Sequence, residues 1–452
     1  MIIADTRPPA RVLAEFAGAL GFEAIPSVTR ERVKDLFLDG LASALAGVDD
    51  EDTKTIAAVA ETLLGPGSST VIGGSRLSLA GATFVNGALV SSVSLCDVHY
   101  RSWCHLTPEV LPPALATAER RSSTGKEFLV ALTAGCELTA RIGLGLNYPA
   151  FHARGWNTSG VAGVFGAATA AGKLLDLSVD QLTHALGIAG AQAAGSDYHR
   201  GTPTVRFLQP RAALSGLMAA ELAAGGFTAM DDVLTHPVGG VYFTHSDGGT
   251  PAAALAELGQ RWEVEEVWLT PWPLALLVRN IVNTVLDLVT ANDVGPADVA
   301  SIELAVSPRL FELYGTTDFG TKSRAKTSPR YLASVVLHDR RCGSEQFSPG
   351  KLSDPSIAGF ARDNVKVVSD LELDERAVRA EIVLRDGTRH SNFRSVPHGD
   401  ATDPLTRDEI VEKFRAAARG VLTADKISAA LEFVADLENQ PTLEPLLRAV
   451  RP

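Results

Sequence analysis

The stretch RGWNTSGVAGVFGAATAAGKLLDL, residues 154–177, sets the architecture. After Asn157 it is largely apolar on every side, rich in Gly and Ala, and carries no charge before Lys173. A helix that is apolar all round is a buried one, and small side chains let neighbouring helix axes approach closely. A membrane span needs about 20 uninterrupted apolar residues, so the stretch predicts a core helix instead. Two further segments carry the same signature: HALGIAGAQAAG (184–195) and RAALSGLMAAELAAGGF (211–227). Together they predict the centre of a helical domain or a helix-packed interface between two copies, hence a homodimer. Upstream, Val33, Leu36, Phe37 and Leu41 repeat at helical spacing, as do Phe128, Leu129, Leu132 and Cys136. Glu137 stands one turn before Arg141, a favourable pair.

The texture changes near Trp262. TPWP at 270–273 interrupts the helical pattern with two prolines, and a helix over 276–291 follows. SIELAV (301–306) alternates like a half-buried strand. VRAEIVLRDGTRH (378–390) does the same and closes on Asp386-Gly387, a hairpin signal. Helices resume at 407–420, 425–436 and 443–450. The prediction is a mainly α protein: a large all-helical domain, 1–266 plus 398–452, carrying an inserted smaller α+β lid, 267–397, with an antiparallel sheet.

In 452 residues, 41 Lys and Arg face 53 Asp and Glu, a formal charge of -12. With no basic block, nucleic acid and anionic membrane are poor partners. Four cysteines without a CxxC pair predict neither a disulfide framework nor structural zinc. No signal peptide is visible, so a cytoplasmic location is expected. No P-loop, GxGxxG, HExxH or GxSxG motif occurs, and no cofactor or metal is predicted.

Three polar stretches stand out. In LCDVHYRSWCHLTPEV (95–110), Asp97, His99, Tyr100, Arg101 and His105 precede what reads as a proline-punctuated loop at Pro108, Pro112 and Pro113. A carboxylate beside two imidazoles supplies a base, an acid and a means of tuning them, so Asp97, His99 and His105 are the catalytic candidates. In HARGWNTSG (152–160), Arg154, Asn157 and Thr158 stand before the core helix, where free backbone N–H groups favour a carboxylate; simple capping explains the Asn and Thr equally well. In GSDYHRGTPTVRFLQPRAALSG (195–216), His199, Arg200 and Arg206 precede another apolar helix; substrate carboxylate and salt bridging are the alternative uses of the arginines. Tyr100, Arg101, Arg154, Asn157, Thr158, His199, Arg200 and Arg206 are the candidate substrate-binding residues.

These stretches, in this order, resemble the MmgE/PrpD family. FVNGALVSSVSLCDVHYRSWCHLTPEVLPPALATAE is similar to its "NG", "DFDDTH" and "HP…vlPa.lA.aE" run; GCELTARIG to "GyEv..RiG"; RGWNTSGVAGVFGAATAAGKLLDL to "rGfh.T...G.fGaAaAAakLLgL". RAALSGLMAAELAAGGFTA, TPWPLALLVRNIVNTVLDL and TSPRYLASVVL resemble three later motifs. The resemblance implies a helical domain with an inserted α+β lid, a homodimer, and cofactor-independent chemistry on small carboxylates. The family's histidine falls on His105 and its middle acid on Asp97. Its first acid falls on Leu95, its threonine on His99, its second histidine on Asn157, the lysine before the "AA" helix on Arg206 or Val205, and its lid lysine on Thr270.

The reading is a lyase or isomerase that abstracts a proton next to a carboxylate or carbonyl, giving dehydration, decarboxylation or epimerisation. The developing negative charge would face Arg206, Arg154 and the helix start at 157–159. Two alternatives remain: a bulkier secondary-metabolite substrate, suggested by Trp103, Trp156, Trp268 and Trp272, and a homologue that binds a metabolite without turning it over.

Overall fold

The structure, a computed structural model, describes residues 7–199 and 202–452. It is mainly helical and divides into two compact units, one running to Leu269 and resuming at Thr406–Pro452, the other Thr270–Leu405.

The first unit contains α1 (Pro9–Ala19), α2 (Ser27–Ala46), α3 (Glu51–Leu64), α4 (Leu79–Ser92), α5 (Thr107–Arg121), α6 (Gly125–Gly145), α7 (Tyr148–Ala153), α8 (Thr158–Leu174), α9 (Val179–Gly190) and α10 (Thr204–Ala224). Helix α8 is the hub, packed by α5, α6, α9 and α10. Its glycines are there for space. A Cβ on Gly166 would lie 2.3 Å from the Gly135 carbonyl of α6, and one on Gly216 of α10 would lie 2.4 Å from Ala167. The helices therefore pack almost backbone to backbone.

Helix starts follow the local sequence. Thr124 and Glu127 form a reciprocal cap on α6, as do Ser178 and Gln181 on α9. Helix α6 has the length and apolarity of a membrane span, but 94% of that window is buried inside the unit, where α5 and α8 pack on it. It also carries a charge pair. Arg141 Nε donates to Glu137 at 2.9 Å, both residues are fully buried, and the guanidinium donates to the carbonyls of Ala256 (2.9 Å) and Arg261 (2.6 Å). Burial pushes Glu137 up to about 7.

The prolines at 108, 112 and 113 do not make a loop. They lie inside α5, with Pro108 in the first turn, where a missing N–H costs nothing. Val110, Leu111, Ala114, Leu115 and Ala118 are buried along the same helix, and this apolar face prevails over the prolines. The unit also holds the C-terminal helices Arg407–Ala418, Ala424–Ala435 and Glu444–Ala449 and two short antiparallel ribbons: β1 (Ser69–Thr70) with β2 (Arg76–Leu77), and β3 (Val98–His99) with β4 (Val267–Trp268).

In the second unit, β5 (Val299–Val306), β6 (Val365–Ser369), β7 (Val378–Leu384) and β8 (Arg389–Arg394) form one sheet in the order β6-β5-β7-β8. The register sets Ile302 opposite Ile382 and Leu304 opposite Ala380, and the β7–β8 turn uses Gly387 at φ 90°. The sheet is mixed, which corrects the antiparallel expectation: β6, unread in the sequence, pairs parallel to β5. A parallel neighbour needs a crossover, and the helices between β5 and β6, including Pro329–Asp339 and Pro355–Asp363, provide it.

Candidate active site

The stretch 95–110 is a tight turn leading from β3 into α5. Asp97 has no exposed surface. Its carboxylate accepts the N–H groups of Leu106 (2.8 Å) and Thr107 (3.1 Å) and the Thr107 hydroxyl. It therefore caps the α5 N-terminus, where free amides and the helix dipole favour a negative charge. The carboxylate expected to tune an imidazole makes its hydrogen bonds to the start of α5 instead.

His105 is half-buried and held at two points. Its backbone N–H donates to Ser159 Oγ at 3.0 Å, and its ring Nδ1 bonds the backbone carbonyl of Asp97. A carbonyl only accepts, so Nδ1 carries the proton and Nε2 bears the lone pair in the neutral ring. Cys96 Sγ lies 3.5 Å from the same Nδ1.

His99 is placed differently. It is fully buried on β3, with Nδ1 2.8 Å from Ser102 Oγ and Nε2 3.2 Å from Glu263 Oε2. Both ring nitrogens are engaged by protein. Glu263 also receives Arg101 at 3.2 Å and Arg261 at 2.6 Å. Burial pushes the Glu263 carboxyl up, but His99 and the two arginines outweigh it and bring it down to about 2.

The other candidates form a chain of contacts around these. Tyr100 stacks on Trp268 (4.6 Å, 6°) and leans on Trp103, which stacks on Tyr148 (4.9 Å, 8°) beside His152: a row of five rings. The Thr158 hydroxyl donates to the Trp103 carbonyl. Asn157 is the N-cap of α8, accepting the Gly160 N–H at 3.1 Å, and its amide donates to Asp197 at 3.2 Å. Asp197 in turn pairs with His152. Arg154 is exposed and donates to the Phe243 carbonyl at 3.1 Å. His199 sits on a single turn with its ring against Tyr198, and Arg200 lies outside the described residues. The Arg206 guanidinium donates to the Ser91 carbonyl and to Ser94 Oγ, at the end of α4.

The structure thus joins the first two stretches through Trp103–Thr158 and His105–Ser159, and the second to the third through Asn157–Asp197. Sequence reading passed over Glu263, which is 164 positions from its histidine and left no local signal.

Comparison with known proteins agrees with the motifs. The MmgE/PrpD N-terminal domain model matches residues 11–253 and the C-terminal domain model matches 272–439. The chain belongs to the MmgE/PrpD family. Among its relatives, a cis-aconitate decarboxylase of Aspergillus terreus is 28% identical, covering 98% of this chain and 96% of the relative. A cis-aconitate decarboxylase-like protein of Aspergillus oryzae is 27% identical over 100% and 99%. Human cis-aconitate decarboxylase is 25% identical over 93% and 91%. Membership of the MmgE/PrpD family and these full-length relationships support a lyase of the dehydratase or decarboxylase type.

Proposed function

We propose that this MmgE/PrpD protein is a decarboxylase-type lyase of a small organic acid, with His105 as the proton carrier and no cofactor. The observation that carries the reading is the fixed tautomer of His105: Nδ1 is committed to the Asp97 carbonyl, so Nε2 is the nitrogen that takes or gives a proton. In decarboxylation the C–C bond to the leaving carboxylate breaks, carbon dioxide departs, and the electron pair stays on carbon until the protonated, imidazolium form of His105 returns its Nε2 proton there and reverts to the neutral ring. In dehydration the Nε2 lone pair removes a proton next to a carboxylate and hydroxide leaves from the adjoining carbon. The start of α8, at Thr158 and Ser159, is the neighbouring source of N–H groups for the developing charge. His99, bonded on both sides, holds the β3 turn in place.

The five-ring row from Trp268 to His152 favours a second reading, a substrate with a larger flat or apolar portion than a tricarboxylate. For assembly, Phe207, Met218 and Leu222 are exposed on one stripe of α10, which supports a homodimer formed through that face.

The experiment is a turnover screen of purified protein in deuterated water without added metal, using cis-aconitate, citrate, 2-methylcitrate and bulkier unsaturated acids. Carbon dioxide release with one deuterium placed on the product carbon is expected. A correctly folded protein that turns over none of them would overturn the reading.

A further inference from the structure

The smaller unit holds a cavity of about 690 Å³, lined by residues that all fall between Thr316 and Arg362. Phe319, Phe347 and Leu352 give it an apolar wall. Tyr331 backs that wall from the helix Pro329–Asp339: it is fully buried, its hydroxyl donates to the Gln346 carbonyl at 2.6 Å, and its ring centre lies 5.5 Å from that of Phe319 and 6.0 Å from that of Phe347. Three cations line the same space. Lys322 comes from the turn Lys322–Ala325, Arg330 from the first turn of Pro329–Asp339, and Arg362 from the last turn of Pro355–Asp363. The Arg362 guanidinium stands over the Phe319 ring, 5.9 Å from its centre.

These three cations have no hydrogen-bond or ion-pair partner among the described residues, and Arg330 Nε is shut off from solvent without an acceptor. The acids beside them in sequence are engaged elsewhere. Asp318, which also lines the cavity, pairs with Arg324, and Asp339, at the end of the helix that carries Arg330, pairs with Lys351 at 2.6 Å. Three uncompensated positive charges facing one space repel one another, and an anion seated among them turns that repulsion into attraction. The gathering is local: the chain as a whole carries a formal charge of -12.

We propose that this cavity binds a small organic anion with at least two negative charges on an apolar body. Guanidinium groups receive phosphate or carboxylate oxygens through paired hydrogen bonds, and the Lys322 ammonium adds a point charge, so one acid group would leave cations unmet. The wall of Phe319, Phe347 and Leu352 asks for apolar surface between those charges, which a bare inorganic ion lacks. The volume falls within the range of roughly 300–1,000 Å³ common to small-molecule sites. Phosphate esters and polycarboxylates share this chemistry. The inference does not rest on the role of His105.

The test is calorimetric titration of the full chain at low salt with two probes, phenyl phosphate and citrate, and with phenol, which has the ring without the charge. At least one of the two anions should bind the native protein, and phenol should not; the tighter of the two tells a phosphate ester from a polycarboxylate. Arg330→Gln and Lys322→Gln should each weaken that anion about tenfold or more, the loss expected for one charge-assisted hydrogen bond. Neither side chain has a bond to lose within the protein, so circular dichroism should be unchanged; should one variant fail to fold, the other decides. Absence of binding by both anions would overturn the proposal. So would native affinity in Arg330→Gln and Lys322→Gln, above all if His105→Ala alone weakened the anion, since the anion would then lie at the site described above. Binding that depends on Arg330 and Lys322 in a protein that turns over no acid would refute the proposed reaction and leave this inference standing.

Discussion

Asp97 holds His105 through its backbone: the carbonyl oxygen of Asp97 receives Nδ1–H of the ring, while the carboxylate of the same residue receives the two amides that begin α5. One residue thus fixes the tautomer of the imidazole and the start of the helix that follows it. The turn is rigid because its polar groups are paired within it, and its rigidity does not depend on a charge beside the ring.

Removing the Asp97 carboxylate should therefore cost stability before it costs chemistry. Asp97→Ala leaves two amides and a hydroxyl without their acceptor and should destabilise the protein by about 1–3 kcal/mol. Asp97→Asn keeps a cap of nearly the same shape and should lose less. Thermal melts and turnover measured on the same samples check this. A large loss of kcat in Asp97→Asn with an unchanged Tm would mean that the carboxylate charge acts on the reaction directly.

His105→Ala should lower kcat by at least ~100-fold on the acid that the native protein turns over, the low end for loss of a general acid or base. The ring is half-buried and its main protein bond is a single one to the Asp97 carbonyl, so Tm should fall modestly beside the loss of turnover. Parallel kinetics and melts decide, and retained turnover would move the proton carrier elsewhere.

His99→Thr, which restores the residue type found in the family, should report on structure through pH. Glu263 has its carboxyl lowered to about 2 from an ordinary 4.5, with the His99 hydrogen bond the largest favourable cause after the opposing effect of burial. A depressed acid adds stability above its unfolded pKa and loses it as pH falls through the folded value. Native Tm should thus fall between pH 4.5 and 2, and His99→Thr should fall less steeply there because part of the shift is gone. Asp39, raised to about 6, and Glu137, raised to about 7, favour the folded state at low pH and lose that contribution as pH rises. They are common to both proteins and cancel in the difference.

The helical domain was legible because buried helices built from Gly and Ala have no other stable reading in water. The strand at 301–306 and the hairpin at 378–390 were legible from alternation and a Gly turn, and the structure extends them to 299–306 and 378–394. Strand β6 was missed because VKVVS is only five residues long and follows directly on a helix, and α5 because three prolines outweighed its apolar face on paper. At the site, residue types pointed to the right turn but not to their bonds. A histidine in a short turn looks alike in sequence whether it meets solvent, as His105 partly does, or a glutamate from 164 positions away, as His99 does.

The exposed stripe on α10 predicts the oligomeric state. Met218→Asp places a charge in the middle of the face that Phe207 and Leu222 continue, where burial against a second copy would leave it unpaired. Light scattering should show a dimer for the native protein and a monomer for Met218→Asp, with an unchanged circular dichroism spectrum. A native monomer would contradict the dimer, and a dimeric Met218→Asp would move the interface off this face.

Arg206 offers the sharpest separation between a substrate ligand and a structural one. Its two terminal nitrogens donate to the Ser91 carbonyl and to Ser94 Oγ, so the guanidinium closes the end of α4, where unpaired carbonyls gather. Burial lowers its pKa, and no carboxylate is bonded to it among the described residues. Arg206→Ala should therefore lower stability by about 1–3 kcal/mol, the cost of leaving buried acceptors unmet. Arg206→Lys should recover little of it, since one ammonium cannot reach two acceptors with a planar fork's geometry. If the residue served mainly to bind a substrate carboxylate, Arg206→Ala would instead raise KM with Tm unchanged, and Arg206→Lys would restore much of the binding. Melts of the two variants, set beside their KM values, distinguish the cases. A rise in KM at constant Tm would return Arg206 to the substrate site.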